Sequence, residues 1–237
     1  MNNIKVLLGV IGLVASINAS EIYATFNVKA HESANLAFDA SGVVESVKTD
    51  ISLEVKKGDI LASLENSDKR ASLDIAKTAL VYAKKDYDRQ VAVRKLIDAS
   101  KFDAVAFKHD NAKNQLALQQ SLYNKTFLKA PFDGVIFFKE VEVGDTVSGM
   151  MLKTVFKIQS KSKRKLVVEF DQKYNNIVKI GDKFEYKVDG DDKLYTGEIS
   201  KIYPSANANN RKVQAEVKAQ DIMVGLFGDG KIITNAK

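Results

Sequence analysis

Two stretches of this chain repeat one pattern, and a long run of different composition holds them apart. The first is Ser41-Gly42-Val43-Val44, followed by Val55-Lys56-Lys57-Gly58-Asp59-Ile60-Leu61. The second is Asp133-Gly134-Val135-Ile136, followed by Val141-Glu142-Val143-Gly144-Asp145-Thr146-Val147. Each places a Gly before β-branched residues and then reaches a Val-x-x-Gly-Asp turn, which reads as strand, tight turn, strand. Gly supplies positive φ in such turns and Asp bonds the turn backbone. Gly42, Gly58, Asp59, Gly134, Gly144 and Asp145 are therefore the expected structural turn residues. Each half alone buries too little apolar surface to be stable, so the two are expected to pack face to face.

The intervening residues cannot continue a β fold of this kind. Residues 67–98 and 102–125 contain no Gly or Pro and are rich in Ala, Leu, Lys and Asp, a composition that favours helix. Leu73, Ala76, Leu80, Ala83 and Tyr87 recur at alternating spacings of three and four. Val105, His109, Ala112, Leu116, Gln119 and Tyr123 keep the same spacing. The first helix is expected to run for about 30 residues, or about 45 Å. The polar connection near Asp98-Ala99-Ser100-Lys101 turns the second helix back antiparallel.

The chain opens with Lys5, an apolar run from Val6 to Ala15 and then small residues up to Ser20, the order of a secretory signal peptide. No later segment is apolar enough to span a bilayer. The chain has no Cys, which excludes disulfides, thiolate nucleophiles and Cys-bound zinc. Its two His residues, His31 and His109, have no companion ligands nearby in sequence. Met150-Met151 is expected to be core rather than a soft-metal site. No acid/base pair or Gly-x-Ser-x-Gly nucleophile word stands out. No catalytic, cofactor or metal site is expected, and no nucleic-acid partner is expected, given the secretory signal and the lack of aromatic-basic interleaving.

With these residues in place, the chain resembles the periplasmic adaptor proteins, also called membrane fusion proteins, of tripartite efflux pumps. The matching words are Ser41-Gly42-Val43-Val44, Val55-Lys56-Lys57-Gly58-Asp59-Ile60-Leu61-Ala62 and Leu128-Lys129-Ala130-Pro131-Phe132-Asp133-Gly134-Val135-Ile136. The last is the most specific. Ser52 stands where the family often has a turn Gly. The resemblance implies an α+β chain: a lipoyl-like β-sandwich interrupted by a long antiparallel helical hairpin, then a small β-barrel. The expected divisions are 1–19 signal peptide, 20–66 N-terminal strands and first lipoyl-like half, 67–125 coiled-coil hairpin, 126–160 second lipoyl-like half, and 161–237 barrel. In the last segment, strand-like runs at 166–170, 184–188, 194–202 and 212–217 support the barrel, with Val224 to Gly230 closing it through turn glycines. A modifiable lysine, as in a swinging-arm carrier, is not expected, because residues read as helix occupy the site of the carrier's hairpin.

The resemblance further implies a non-enzymatic, cofactor-free adaptor in the periplasm, associated with the inner membrane through its partners. It would bridge a proton-driven inner-membrane transporter and an outer-membrane channel as a homo-oligomeric ring, with multidrug export the expected setting. Adaptors of this family often carry an Arg, a Leu and a Ser at the hairpin tip to meet the channel. Arg94, Leu96 and Ser100 match these types, with a shorter Leu-to-Ser spacing than usual. The competing readings are an autonomous periplasmic metal- or small-ligand-binding protein, and an adaptor for metal efflux or ATP-driven export.

Overall fold

The computed structural model describes residues 19–235. Of the expected signal peptide, residues 1–18 lie outside the described residues, and Ala19 opens the first strand. The chain divides into two compact units, residues 32–161 and a second unit built from both flanks of it.

Residues 32–161 hold the repeat. The strands are β1 (Ala19–Ala30, in the other unit), β2 (Ser33–Leu36), β3 (Gly42–Val47), β4 (Glu54–Val55) and β5 (Ile60–Leu64), then β6 (Phe127–Lys129), β7 (Gly134–Lys139), β8 (Thr146–Val147) and β9 (Phe156–Gln159). They form two four-stranded sheets, ordered β2-β9-β7-β4 and β6-β5-β3-β8. The halves are therefore interlocked rather than simply stacked: β4 of the first pairs with β7 of the second, and β8 of the second pairs with β3 of the first. Leu61, Leu64, Ile136, Phe156 and Ile158 are fully buried between the sheets.

The structural repeat differs from the one the sequence words suggest. Residues 42–55 map onto 134–147 without gaps, which makes Ser52, not Gly58, the counterpart of Gly144. The amide of Ser52 donates to Ile136 O at 2.8 Å, and that of Gly144 donates to Val44 O at 2.9 Å. Return bonds run from Ile136 N–H to Leu53 O and from Val44 N–H to Asp145 O. Both residues are left-handed, Ser52 at φ 70° and Gly144 at φ 96°. A register shift also falls at equivalent places, between Val44 and Ser46 and between Ile136 and Phe138. Lys139 bridges the two turns: its ammonium lies 3.0 Å from Glu142 and 3.7 Å from Asp50, which are themselves counterparts. The Glu142 hydrogen bond raises its pKa above the ordinary lysine value against the pull of partial burial, and Asp50 adds to the rise.

Two of the expected turn glycines serve another purpose. Gly42 and Gly134 open β3 and β7 and neither has positive φ. A Cβ on Gly134 would run into the Gln159 carbonyl oxygen and the Ile158 side chain, so this glycine lets β9 approach β7. A Cβ on Gly42 would meet only Leu64 at ordinary contact distance. Gly58 and Gly144 are left-handed, and Asp59 and Asp145 accept from the amides of Lys56 and Glu142, each at 2.8 Å. The same Gly-Asp device recurs at Gly181-Asp182, where Asp182 accepts from Lys179 N–H at 2.7 Å.

Met150 and Met151 are not core: they are 88% and 77% exposed. They sit in the connection from β8 to β9, and the residue of this loop that enters the sandwich is Val155.

The helices are α1 (Ser67–Ala92) and α2 (Ala99–Asn124), each 26 residues and so about 39 Å long. They form an antiparallel pair rooted in the sandwich. Asn66 donates from its side-chain amide to Thr126 Oγ1 at 3.2 Å, and Thr126 Oγ1 donates to Tyr123 O at 2.7 Å. Leu73, Ala76 and Ala83 are buried in the seam, where small side chains let the helices approach closely.

The other unit is a closed barrel of six antiparallel strands in the order β1-β10-β13-β12-β11-β14. The new strands are β10 (Lys163–Asp171), β11 (Lys183–Val188), β12 (Tyr195–Ile202), β13 (Lys212–Gln220) and β14 (Phe227–Asn235). The expected barrel, 161–237, is thus one strand short. Residues 19–30, read with the sandwich, supply β1, which pairs with β10 and β14 and closes the barrel. Alternate residues fill the interior: Ile22, Ala24, Phe26 and Val28 from β1 face Leu166, Val168 and Phe170 from β10 and Phe184, Tyr186 and Val188 from β11. Gly228 and Gly230 are strand residues rather than turn residues; only Gly225 of that run has positive φ. A Cβ on Gly228 would lie 2.6 Å from Phe26 Cζ and clash with the Lys187 carbonyl, so the glycine makes room for a large aromatic inside a narrow barrel.

Candidate functional site: the hairpin tip

The connection between the helices occupies residues 93–98, earlier than the expected 98–101. Val93 and Ile97, both β-branched, flank a single 3₁₀ turn, Arg94–Leu96. Asp98 is the N-cap of α2: its carboxylate accepts from the Ser100 amide at 2.8 Å. The polar run that reads as a loop is therefore the start of the second helix.

The three predicted tip residues fall on both sides of this connection. Arg94 and Leu96 share the 3₁₀ turn, and Ser100 is an exposed residue in the first turn of α2. Leu96 is 85% exposed and so does not pack in the seam. Ile97, half-buried, is the apolar residue of this turn that is partly withdrawn from solvent. The Arg94 guanidinium sits 4.3 Å from the centroid of the Phe102 ring, in a cation–π contact that holds a cation at the end of the hairpin.

Behind it a ladder of rings runs down the seam. Phe102 lies 5.7 Å from Tyr87, and Tyr87 stacks on His109 at 4.9 Å and 21°. His109 Nδ1 is 3.1 Å from Asp110. His109 is thus a stacking partner within the seam. Phe102 and Ile97 are the residues that sequence reasoning missed. Phe102 precedes Val105 and His109 at the seam's own spacing of three and four, a signal that was available.

The tip presents an apolar knob, a pinned guanidinium, and exposed Lys95, Asp98 and Lys101 around them. Among the described residues, no group of three or more His, Asp and Glu side chains could hold a metal ion. No helix among them is long and apolar enough to cross a membrane.

A sandwich of interlocked halves, split by a helical hairpin and accompanied by a six-stranded barrel, is the fold of the membrane fusion adaptors. The chain belongs to the CzcB-like family defined by a barrel-sandwich hybrid domain, whose pattern matches residues 32–159. It is 30% identical, over 125 residues, to the cobalt-zinc-cadmium resistance protein CzcB of Cupriavidus metallidurans. That stretch is 46% of this chain and 24% of the relative. The match therefore spans about a quarter of the relative's length. Among solved structures, it resembles a MacA–MexA chimeric protein carrying the Pseudomonas aeruginosa MexA α-hairpin domain. That likeness has a TM-score of 0.81 and 17% identity and covers 92% of this chain and 83% of the chimera. It also resembles the membrane fusion protein Spr0693 of Streptococcus pneumoniae, at TM-score 0.70 and 15% identity over 91% of this chain and 100% of the other.

Proposed function

We propose that this protein is the periplasmic adaptor of an efflux system, bridging an inner-membrane transporter and an outer-membrane channel as a ring of several copies. The observation that supports this reading best is the hairpin. Its root is bonded into the sandwich through Asn66 and Thr126, while its far end, about 39 Å along the helices, exposes Leu96. An exposed leucine gains nothing within the hairpin, and beside a pinned arginine it suits a protein partner, because burying an apolar side chain is favourable and Arg is enriched at protein–protein interfaces. The role is mechanical: the adaptor offers contact surfaces and catalyses no reaction.

For the cargo we favour divalent metal cations over the multidrug setting expected from sequence, on the strength of the similarity between the sandwich and a cobalt-zinc-cadmium resistance protein. Deleting the gene in its host should raise sensitivity to cobalt, zinc or cadmium. Reintroducing the chain should restore resistance, and a chain with 67–125 replaced by a short Gly-Asn linker should not. Unchanged metal tolerance with raised dye sensitivity would return the multidrug reading. No phenotype with either would remove the efflux assignment.

A further inference from the structure

The hairpin has little core of its own: Leu73, Ala76 and Ala83 of α1 are buried in the seam, and no residue of α2 is buried. Its two outward faces differ. One is charged, with Asp74, Lys77, Lys84 and Asp88 exposed on α1 and Asp110 and Lys113 on α2. The other exposes four large side chains, Ile75 (71%), Tyr82 (63%), Phe107 (72%) and Leu118 (51%). Ala79 and Asn111 lie between them. At about 100° per residue, Ile75 and Tyr82 stand about 120–140° round α1 from the seam. Phe107 and Leu118 stand about 140–160° round α2 in the same sense. In antiparallel helices the same sense of rotation leads to the same side, so the four share one face. Charge appears only at its borders, from Lys85 over the Tyr82 ring, from Lys108, and from the Asp86–Arg89 pair toward the tip. An apolar, uncharged face on a projecting helix pair marks a contact surface.

The spacing on this face is symmetric. Ile75 and Tyr82 lie eight and fifteen residues after Ser67, which opens α1, and Leu118 and Phe107 lie six and seventeen before Asn124, which closes α2. Tyr87 sits against both Phe102 and His109, a register that puts Ser67 and Asn124 nearly level. Both pairs are therefore centred about 17 Å from the root. Turned end over end about that centre, Ile75 takes the place of Tyr82, and Leu118 that of Phe107. This self-complementarity is the mark of an isologous contact, in which the same patch serves both partners. Two hairpins laid face to face in this way set α1 against α1 and α2 against α2, with every neighbouring pair antiparallel, as in a four-helix bundle. Eight large side chains, with the small and amide residues between them, would cover on the order of 1,200 Å² over both copies, the lower edge of a specific interface.

We propose that two copies of the free protein pair through this face, antiparallel and related by a two-fold axis at that centre. Ile75 of each copy packs on Tyr82 of the other, and Leu118 on Phe107. The inference does not rest on the adaptor reading. Hairpins in a ring all run in one direction, so this pair is a state of the protein outside such an assembly and opens on entering it.

Sedimentation equilibrium of the full chain should show a monomer–dimer equilibrium. Each substitution falls twice in a two-fold interface, so Phe107→Lys and Leu118→Lys should each raise the dissociation constant at least about tenfold. Lys113→Gln, on the charged face, should leave it unchanged. All three positions are exposed, and circular dichroism checks that the variants keep their helix content. The chain has no Cys, so introduced thiols report cleanly. Ile75→Cys mixed with Tyr82→Cys should oxidise to a disulfide-linked dimer. Ile75→Cys alone should not, because its two copies stay about 10 Å apart along the pair, beyond the reach of a disulfide. A monomer at every concentration, a dimer that both lysine variants leave intact, or crosslinking of Ile75→Cys alone in place of the mixture would each overturn the proposal.

Discussion

Ser52 and Gly144 occupy the same position in the two halves of the sandwich: both are left-handed, and each donates its amide to the second residue after the strand-opening glycine of the opposite half's strand. One half uses the residue type suited to that backbone and the other does not. For an L-residue the left-handed conformation costs about 1–2 kcal/mol, which glycine avoids. Ser52→Gly should therefore stabilise the chain by about 1 kcal/mol, and Ser52→Val should destabilise it by a similar amount, in urea unfolding. A neutral Ser52→Gly would show that the exposed serine pays no backbone strain.

Glycines in β14 should respond more severely and for a different reason. At Gly144 an added Cβ would meet no atom within 4 Å, so only the backbone conformation resists it. At Gly228 an added Cβ would strike Phe26 inside the barrel. Gly228→Ala should cost about 2–3 kcal/mol, the range for overpacked cores, measured by thermal or urea unfolding. A loss below about 0.5 kcal/mol would mean that β14 is free to move away from β11.

The sequence made the hairpin and the lipoyl-like sandwich readable because their signals are local: no Gly or Pro through the helices, a three-four seam, and glycine before β-branched residues. What it hid was non-local or chemically ambiguous. β1 shows clear alternation at Ile22, Ala24, Phe26 and Val28, yet nothing near it says that its partners are β10 and β14, far along the chain. The sequence words align the repeat on the turn at Gly58, because Ser52 lacks the glycine that marks its counterpart at Gly144. The sequence puts the tip a few residues late because an N-cap and a loop use the same polar residues, and the Asp98–Ser100 bond is what separates them. The exposure of Met150 and Met151 follows from a loop length that composition does not encode.

Glu216 should give the barrel an acid-sensitive element. Burial opposes its charge most strongly, but hydrogen bonds from Tyr203, Lys165 and Lys201 outweigh that and hold its pKa below the ordinary 4.5. The stabilisation from this lowered carboxylate is fully present above pH 4.5 and is lost as pH falls through the folded-state pKa. Glu216→Gln should thus cost about 1 kcal/mol at neutral pH and progressively less as pH drops below 4.5. A penalty that stays constant across that window would assign the effect to packing.

The tip offers a direct contrast between neighbours. Leu96 is exposed and Ile97 is half-buried, so Leu96→Ser should leave stability within about 0.5 kcal/mol while Ile97→Ser lowers the melting temperature. Arg94→Ala breaks only the contact with Phe102 and should also have a small effect on melting. A large fall for Leu96→Ser would place that side chain in the seam rather than at a partner surface.

If the far end of the hairpin meets an outer-membrane channel, a photo-crosslinking residue placed at position 96 of the full chain in its own host should form an adduct with an outer-membrane channel protein. The adduct should be absent when the crosslinker is at Ile75, an exposed position on α1 far from the tip, and it should be reduced by Arg94→Ala. Adducts from position 96 that contain only other copies of this chain, or no adduct with any outer-membrane protein, would contradict that contact.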